Sequence, residues 1–342
     1  RLFAASRQGS VLSWQLPSER ALFSRNGAPA PTFDPPELIY QNQKSIHALT
    51  ASPDERWLAW ICDSDTVLIW DLRENELSQR LQIDRLKGSP AIDFSEDSSS
   101  LIVGGGIEPD PSGVRKAVSW VVVYERDATK QFVETMTRRW SGRPVVRALK
   151  LLDDKRFVCA RGQLVRAESS VGHLEIWNFS NGVASVERQL DSGQSINALD
   201  YHRPSRRLAW CDDLGVASVR TLGTGPTAPG RSADTVQFRA SPNKTTGVRF
   251  SPDGNELAVM TTKGGVSLWQ IGETSIQTED PDNASPGAPE SAEKPEATPA
   301  LTRALLSARR IEQLAEYRGH RDTVTDAVFI DSTKSDRARP QE

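Results

Sequence analysis

Apolar and polar positions alternate along most of this chain in short runs separated by turn-forming residues. The stretch "FSPDGNELAVMTTKGGVSLWQI", residues 250–271, is representative. Phe250 closes one apolar run, and Ser251-Pro252-Asp253-Gly254 supplies a turn in which proline presets φ and glycine permits φ > 0. Leu257 to Met260 forms a second run, Lys263-Gly264-Gly265 a second turn, and Val266, Leu268 and Trp269 belong to a third run. The pattern predicts strand, turn, strand, turn, strand.

The unit recurs. Third strands end on "GSVLSWQL", "DTVLIWDL", "VSWVVVYER", "GHLEIWNF", "GVASVRTL" and "GGVSLWQI", with Trp14, Trp70, Tyr124, Trp177, Val219 and Trp269 in one aligned position. First strands recur as "SIHALTASPDE", "PAIDFSEDSS", "VVRALKLLDDK", "SINALDYHRPS" and "TGVRFSPDG". Second strands read "WLAWIC", "SLIVGG", "RFVCA", "RLAWC" and "ELAVM". Fourth strands, the faintest, read "ELIYQ", "SQRLQI", "FVETMTRRW", "VERQLD" and "TVQFRA". Four short antiparallel strands every ~40–55 residues are the signature of a β-propeller blade. One such sheet cannot bury both faces alone, whereas blades packed face to face around an axis can. The expected fold is therefore an all-β propeller of four-stranded antiparallel blades. Trp14, Trp70, Trp177 and Trp269 are expected to be structural anchors buried between blades.

Six third strands are present. The chain opens on a second strand ("LFAAS") and closes on a first strand ("TVTDAVFI", 323–330), so 324–330 and 2–14 would make one composite blade. That gives six blades. The alternative is a seven-blade ring completed outside this segment. The whole of 1–342 is expected to be one propeller, a segment of a longer chain. Within it, 273–310 is an insert rich in Pro, Ala and Glu, with the last fourth strand expected near Ile311–Tyr317. Residues 279–300 hold almost no large apolar side chains to order them.

Composition narrows the chemistry. The 342 residues are 37% apolar and 25% charged with net charge −3, so no overall field calls for nucleic acid or an anionic membrane. No run of about 18 apolar residues occurs, and the expected setting is cytoplasmic, although a parent chain could carry an anchor elsewhere. Cys62, Cys159 and Cys211 each sit late in a short apolar run and are expected to be small core residues. No zinc-protease, nucleophile-elbow, haem-attachment or phosphate-loop motif occurs, so neither catalysis nor a cofactor is expected. Gly104-Gly105-Gly106 lacks the Lys-Ser/Thr of a phosphate loop and is expected to open a long loop between strands.

At "VLIWDL" with Trp70-Asp71, "FSPDG" at 250–254 and "YRGHRDTVTDAVF" at 317–329, the chain resembles the Trp-Asp (WD) repeat family. The resemblance covers nearly all of it except 273–310. The motifs are degenerate: only Gly319-His320 offers the family's Gly-His pair, only Trp70-Asp71 its Trp-Asp pair, and no blade has the full His, Ser/Thr, Asp, Trp set. Asp213 matches the aspartate of the turn before the third strand. The resemblance implies a non-catalytic scaffold binding peptide segments on a propeller rim. Divergent blades with Pro/Ala/Glu-rich inserts also resemble bacterial chains fused to Ser/Thr protein kinases, which implies the alternative of a sensor or docking propeller in a larger enzyme. The third and fourth blades are locally basic. Arg115, Lys116, Arg139, Arg143, Arg161 and Arg166 are the candidate partner-binding residues, placed on a rim with long loops at 104–117 and 161–172. An acidic or phosphorylated peptide would suit them. The channel mouth near Lys44, Asp63 and Asp213 is the second place to look.

Overall fold

A computed structural model describes residues 2–6, 8–14, 35–62, 65–83, 90–107, 118–141, 145–166, 169–180, 182–191, 194–223, 235–271 and 311–318. They form an all-β, six-bladed propeller. Blade 1 has three strands, β1 (Leu2–Ala5), β2 (Ser10–Trp14) and β3 (Glu37–Gln41). The other five blades have four strands each. Blade 2 is β4 (Ile46–Ala51), β5 (Trp57–Cys62), β6 (Thr66–Asp71) and β7 (Glu76–Gln82). Blade 3 is β8 (Ala91–Phe94), β9 (Ser100–Ile107), β10 (Val118–Arg126) and β11 (Phe132–Ser141). Blade 4 is β12 (Val145–Leu151), β13 (Arg156–Arg166), β14 (Ser169–Ser180) and β15 (Val183–Asp191). Blade 5 is β16 (Ile196–His202), β17 (Arg207–Asp212), β18 (Val216–Thr221) and β19 (Thr235–Arg239). Blade 6 is β20 (Thr245–Phe250), β21 (Glu256–Thr261), β22 (Gly265–Ile271) and β23 (Ile311–Arg318).

Every predicted strand from the five complete repeats is present, and β23 lies where the last fourth strand was expected. The closing strand at 324–330 and the insert at 273–310 lie outside the described residues.

The core is divided among the seams. Five apolar clusters are found among the described residues, each shared by two consecutive blades. First strands of successive blades pack on one another, β4 on β8, β8 on β12, β12 on β16 and β16 on β20, and so form the inner ring. The recurrent aromatic position reaches toward the preceding blade. Trp177 is 3% exposed in the seam of blades 3 and 4. Trp14, Trp70 and Trp269 are only partly buried, with Trp70 against Tyr40 and Trp60, and Trp269 on Phe238 at 4.6 Å. The Trp177 Nε1–H donates to Glu175 and that of Trp269 to Ser267, each two residues upstream. Leu68 stands there in blade 2, and the Trp70 Nε1–H has no hydrogen-bond partner among the described residues.

Pairing corrects one alignment. Trp70 pairs with Leu58, Trp177 with Phe157 and Trp269 with Leu257; in blade 5 it is Arg220 that pairs with the equivalent Leu208. Val219 faces the other way, into the seam with blade 6. Blade 5 thus carries an arginine where its neighbours carry an aromatic ring. It is also the four-stranded blade whose third and fourth strands pair without a register shift; the others shift at Trp70, Tyr124, Trp177 and Trp269.

The turns between first and second strands repeat one design. Ser52, Ser95 and Ser251 each donate to an aspartate two residues on, and each hydroxyl accepts the amide of the residue opening the next strand. The turn needs a left-handed residue. Gly254 supplies it in blade 6 (φ 73°), as the sequence led one to expect, but Glu55 (57°) and Ser98 (59°) occupy it in blades 2 and 3. Such φ values strain a residue with a Cβ.

Gly104–Gly106 is strand, not loop. A Cβ on Gly104 would meet Leu149 Cδ2 at 2.4 Å, and one on Gly106 the Val118 carbonyl oxygen at 2.7 Å and Val145 at 2.8 Å. The glycines let β12 of the next blade close onto β9.

Candidate interaction surface

One rim carries the turns between second and third strands and the connections from each fourth strand to the next blade. Blade 4 stands apart on it. The stretch at 161–172, expected as a loop, is a continued hairpin. Register runs on from Gly162 with Gly172 through Gln163 with Val171 and Leu164 with Ser170 to Arg166 with Ser169. The flanking strands stop earlier, since β12 ends opposite Gly162 and β15 opposite His173. The paired glycines mark the crossing point. A Cβ on Gly172 would fall 1.6 Å from the Gln194 carbonyl oxygen and one on Gly162 2.1 Å from Ser195 Oγ. The connection into blade 5 passes over them, and the two-stranded ribbon continues beyond.

Arg161 sits at the ribbon's root but not on the surface. It is 1% exposed, and its Nη2 donates to Glu175 Oε1 at 2.5 Å, while Glu175 Oε2 accepts the Trp177 indole. Its guanidinium lies 5.7 Å from the Trp140 ring centre. The side chain is thus part of the seam between blades 3 and 4, which corrects its placement among partner-facing residues. Strand alternation explains the miss: Cys159 pairs with Glu175 and Arg161 with His173, so Arg161 and Glu175 are diagonal neighbours on one face. Arg139 is exposed, as is Arg138, but on the outermost strand β11 rather than in a loop. Arg166 is at the ribbon's end. Arg115, Lys116 and Arg143 lie outside the described residues.

The channel mouth is best defined at blades 5 and 6. Asp213 Oδ1 accepts from Asn197 Nδ2 at 2.9 Å and pairs with Lys244 Nζ at 2.5 Å. The aspartate that caps the turn is Asp212, not Asp213: its Oδ1 accepts the Leu214 and Val216 amides. Burial pushes the Asp212 carboxyl above the usual range and Asp213 adds to this. Leu214 is 53% exposed at the tip. Lys44 is exposed at the same rim between blades 1 and 2, and Asp63 lies outside the described residues.

Inside the ring runs a ladder of alternating charges at one position of successive first strands. Lys150 Nζ lies 2.9 Å from Asp93 Oδ1 and 3.6 Å from Asp200 Oδ1, and Arg249 Nη1 lies 3.4 Å from Asp200 Oδ1. Asp93 also accepts the Leu151 amide and Asp200 the Phe250 amide. Each carboxylate thus grips the backbone of the next blade. Burial opposes charge on Asp200, yet Lys150 and Arg249 hold its carboxyl below the usual range; burial opposes charge on Lys150, yet Asp93 and Asp200 raise its affinity for the proton.

Among the described residues, no group of three His, Cys, Asp or Glu is placed to hold a metal ion, and no helix is long and apolar enough to cross a membrane. Cys62, Cys159 and Cys211 are buried and form no disulfide among the described residues, and burial pushes the Cys159 and Cys211 thiols up to about 12. Cys159 and Cys211 would be poor nucleophiles at neutral pH.

Among solved structures, the chain is similar to the β-propeller domain of Cps50 (Swd1) from Myceliophteria thermophila. Identity is 14% and the TM-score 0.50, over 69% of this chain and 68% of that one. This likeness supports the fold. Hsv2 from Kluyveromyces lactis aligns at 15% identity and a TM-score of 0.44, over 66% of this chain and 60% of that one. No family model matches the sequence, and no curated protein matches it.

Proposed function

We propose that this chain is a non-catalytic scaffold of the WD-repeat type that binds a peptide segment of a partner protein at the rim of blades 3 and 4. The observation that carries the reading is the ribbon of blade 4. It is a two-stranded projection whose outer edges have no third strand beside them among the described residues. An extended peptide can add to such an edge by main-chain hydrogen bonds. Exposed Arg138 and Arg139 on the neighbouring blade, with Arg166 at the ribbon's end, favour an acidic or phosphorylated segment, since arginine's planar fork pairs with carboxylate and phosphate. A docking propeller within a larger enzyme would use the same surface.

The test is a quantitative pull-down with the wild type and two variants. One changes Arg139, Arg143 and Arg166 together to Glu, leaving Arg161 intact. The other replaces residues 164–170 with Asn-Gly, closing the hairpin at Gln163 and Val171. Both should stay folded by circular dichroism and lose the partner, with wild-type binding weakening as salt rises. Retention of every partner at unchanged affinity by both variants would refute the proposal.

A further inference from the structure

The seam between blades 4 and 5 departs from its neighbours. Its inner part is apolar, built on Ile176 and Leu190 from blade 4 and Leu199 and Leu208 from blade 5. In three other seams the recurrent tryptophan meets an aromatic ring from the outermost strand of the preceding blade. Trp70 meets Tyr40 at 6.2 Å, Trp177 meets Trp140 at 5.1 Å, and Trp269 meets Phe238 at 4.6 Å. Here the tryptophan position holds Arg220.

Register shows what Arg220 faces. It pairs with Leu208, and Arg188 on the outermost strand of blade 4 pairs with Ile176. Leu208 and Ile176 both belong to the apolar cluster of this seam. Directly paired residues share a face of the sheet, so both arginines enter the same seam from opposite sides. They are close enough to repel: burial, and then the Arg188 charge, lower the proton affinity of the Arg220 guanidinium. Arg220 Nε is buried with no hydrogen-bond partner among the described residues. The carboxylate of blade 4 beside Arg188, Glu187, pairs with Arg156. Across from Arg220 stands Thr235. Two arginines that enter one half-buried seam from opposite sides, one of them with a donor unused among the described residues, offer a complement for a tetrahedral oxyanion, whose oxygens can accept from both.

We propose that Arg188 and Arg220 form a phosphate-binding site in the seam between blades 4 and 5, with a phosphate group bridging the two guanidiniums. The site is separate from the rim of blades 3 and 4, and its test uses small anions, so it stands or falls independently of the proposed partner surface.

The probes are inorganic phosphate and N-acetyl-phosphoserine amide, titrated calorimetrically into the wild type, Arg220→Gln and Arg188→Gln. The wild type should bind at least one probe at a single site with a dissociation constant on the order of 1 mM or below. Each Gln variant should bind about tenfold more weakly. Tighter binding of the phosphoserine probe would identify a modified side chain as the source, and equal or tighter binding of inorganic phosphate a free anion. Either supports the site. Thermal melts supply a second readout. Phosphate should raise the wild-type midpoint and leave that of Arg188→Gln unmoved. Arg188 is on the outermost strand, so this variant reports even if Arg220→Gln fails to fold. Absence of binding by either probe, or undiminished binding by Arg188→Gln, would overturn the proposal.

Discussion

Replacing Lys150 with Met tests whether the channel ladder holds the inner ring together. The substitution keeps most of the side-chain volume and removes the charge that stands between Asp93 at 2.9 Å and Asp200 at 3.6 Å. Removing one partner of a buried ion pair costs ~3–5 kcal/mol. Lys150 keeps 24% side-chain exposure, and both carboxylates retain a backbone amide, with Arg249 still near Asp200. The lower end, about 3 kcal/mol, is therefore expected, or a fall of about 4 °C in melting temperature at this chain length. The pH dependence gives a sharper check. In the wild type the Asp200 carboxyl is held below its unfolded value, so its contribution is present above about pH 4 and is lost as pH falls through the lowered pKa. Lys150 titrates above its ordinary value, so its contribution is full below about pH 10.4 and is lost as pH rises through the raised pKa. In the Met variant, burial acts on Asp200 with less opposition, so protonation relieves it. The difference between the proteins should be largest from pH 6 to 8 and should shrink below about pH 4. Thermal melts across pH, with Lys150→Arg as a charge-retaining control, measure this. A loss below about 1 kcal/mol, or a difference that stays unchanged as the pH is taken from 7 to well below 4, would refute the reasoning.

Relieving backbone strain should stabilise the protein: Glu55→Gly should raise stability by about 1 kcal/mol by denaturant titration, because the left-handed conformation costs a residue with a Cβ that much. Crowding a seam should do the opposite. Gly106→Ala should cost ~1–3 kcal/mol in the same assay, since its methyl group would press on the Val118 carbonyl and on Val145.

The blade repeat was legible because each strand faces two environments and alternates accordingly, and because turn residues recur at fixed places. Even β23 could be placed across a long insert by its position in the repeat. Three of the sequence expectations fail for a plain physical reason. Gly104–Gly106 has no side chains to alternate, and its glycines answer to β12 of the next blade rather than to local chain geometry. The 161–172 stretch reads as loop because Arg161, Gln163 and Arg166 are polar, yet backbone pairing continues through it. Val219 was matched to the tryptophan position because it is apolar, whereas pairing with Leu208 selects Arg220. The channel ladder was open to discovery: Asp93 and Arg249 each stand two residues before the serine that opens the next turn. The Arg161–Glu175 pair needs the register of a hairpin, which alternation alone does not provide.

The outer edge of blade 3 is the longest among the described outermost strands, at ten residues, and an unpaired edge invites copies of a protein to join strand to strand. Gln79 of blade 2 meets that hazard with a side chain: its amide donates to the Phe132 carbonyl and accepts the Phe132 amide, both at 2.8 Å. A neighbouring molecule seeking to extend the sheet finds the first rung already taken, so the residue that joins two blades also helps keep the protein from polymerising along its rim.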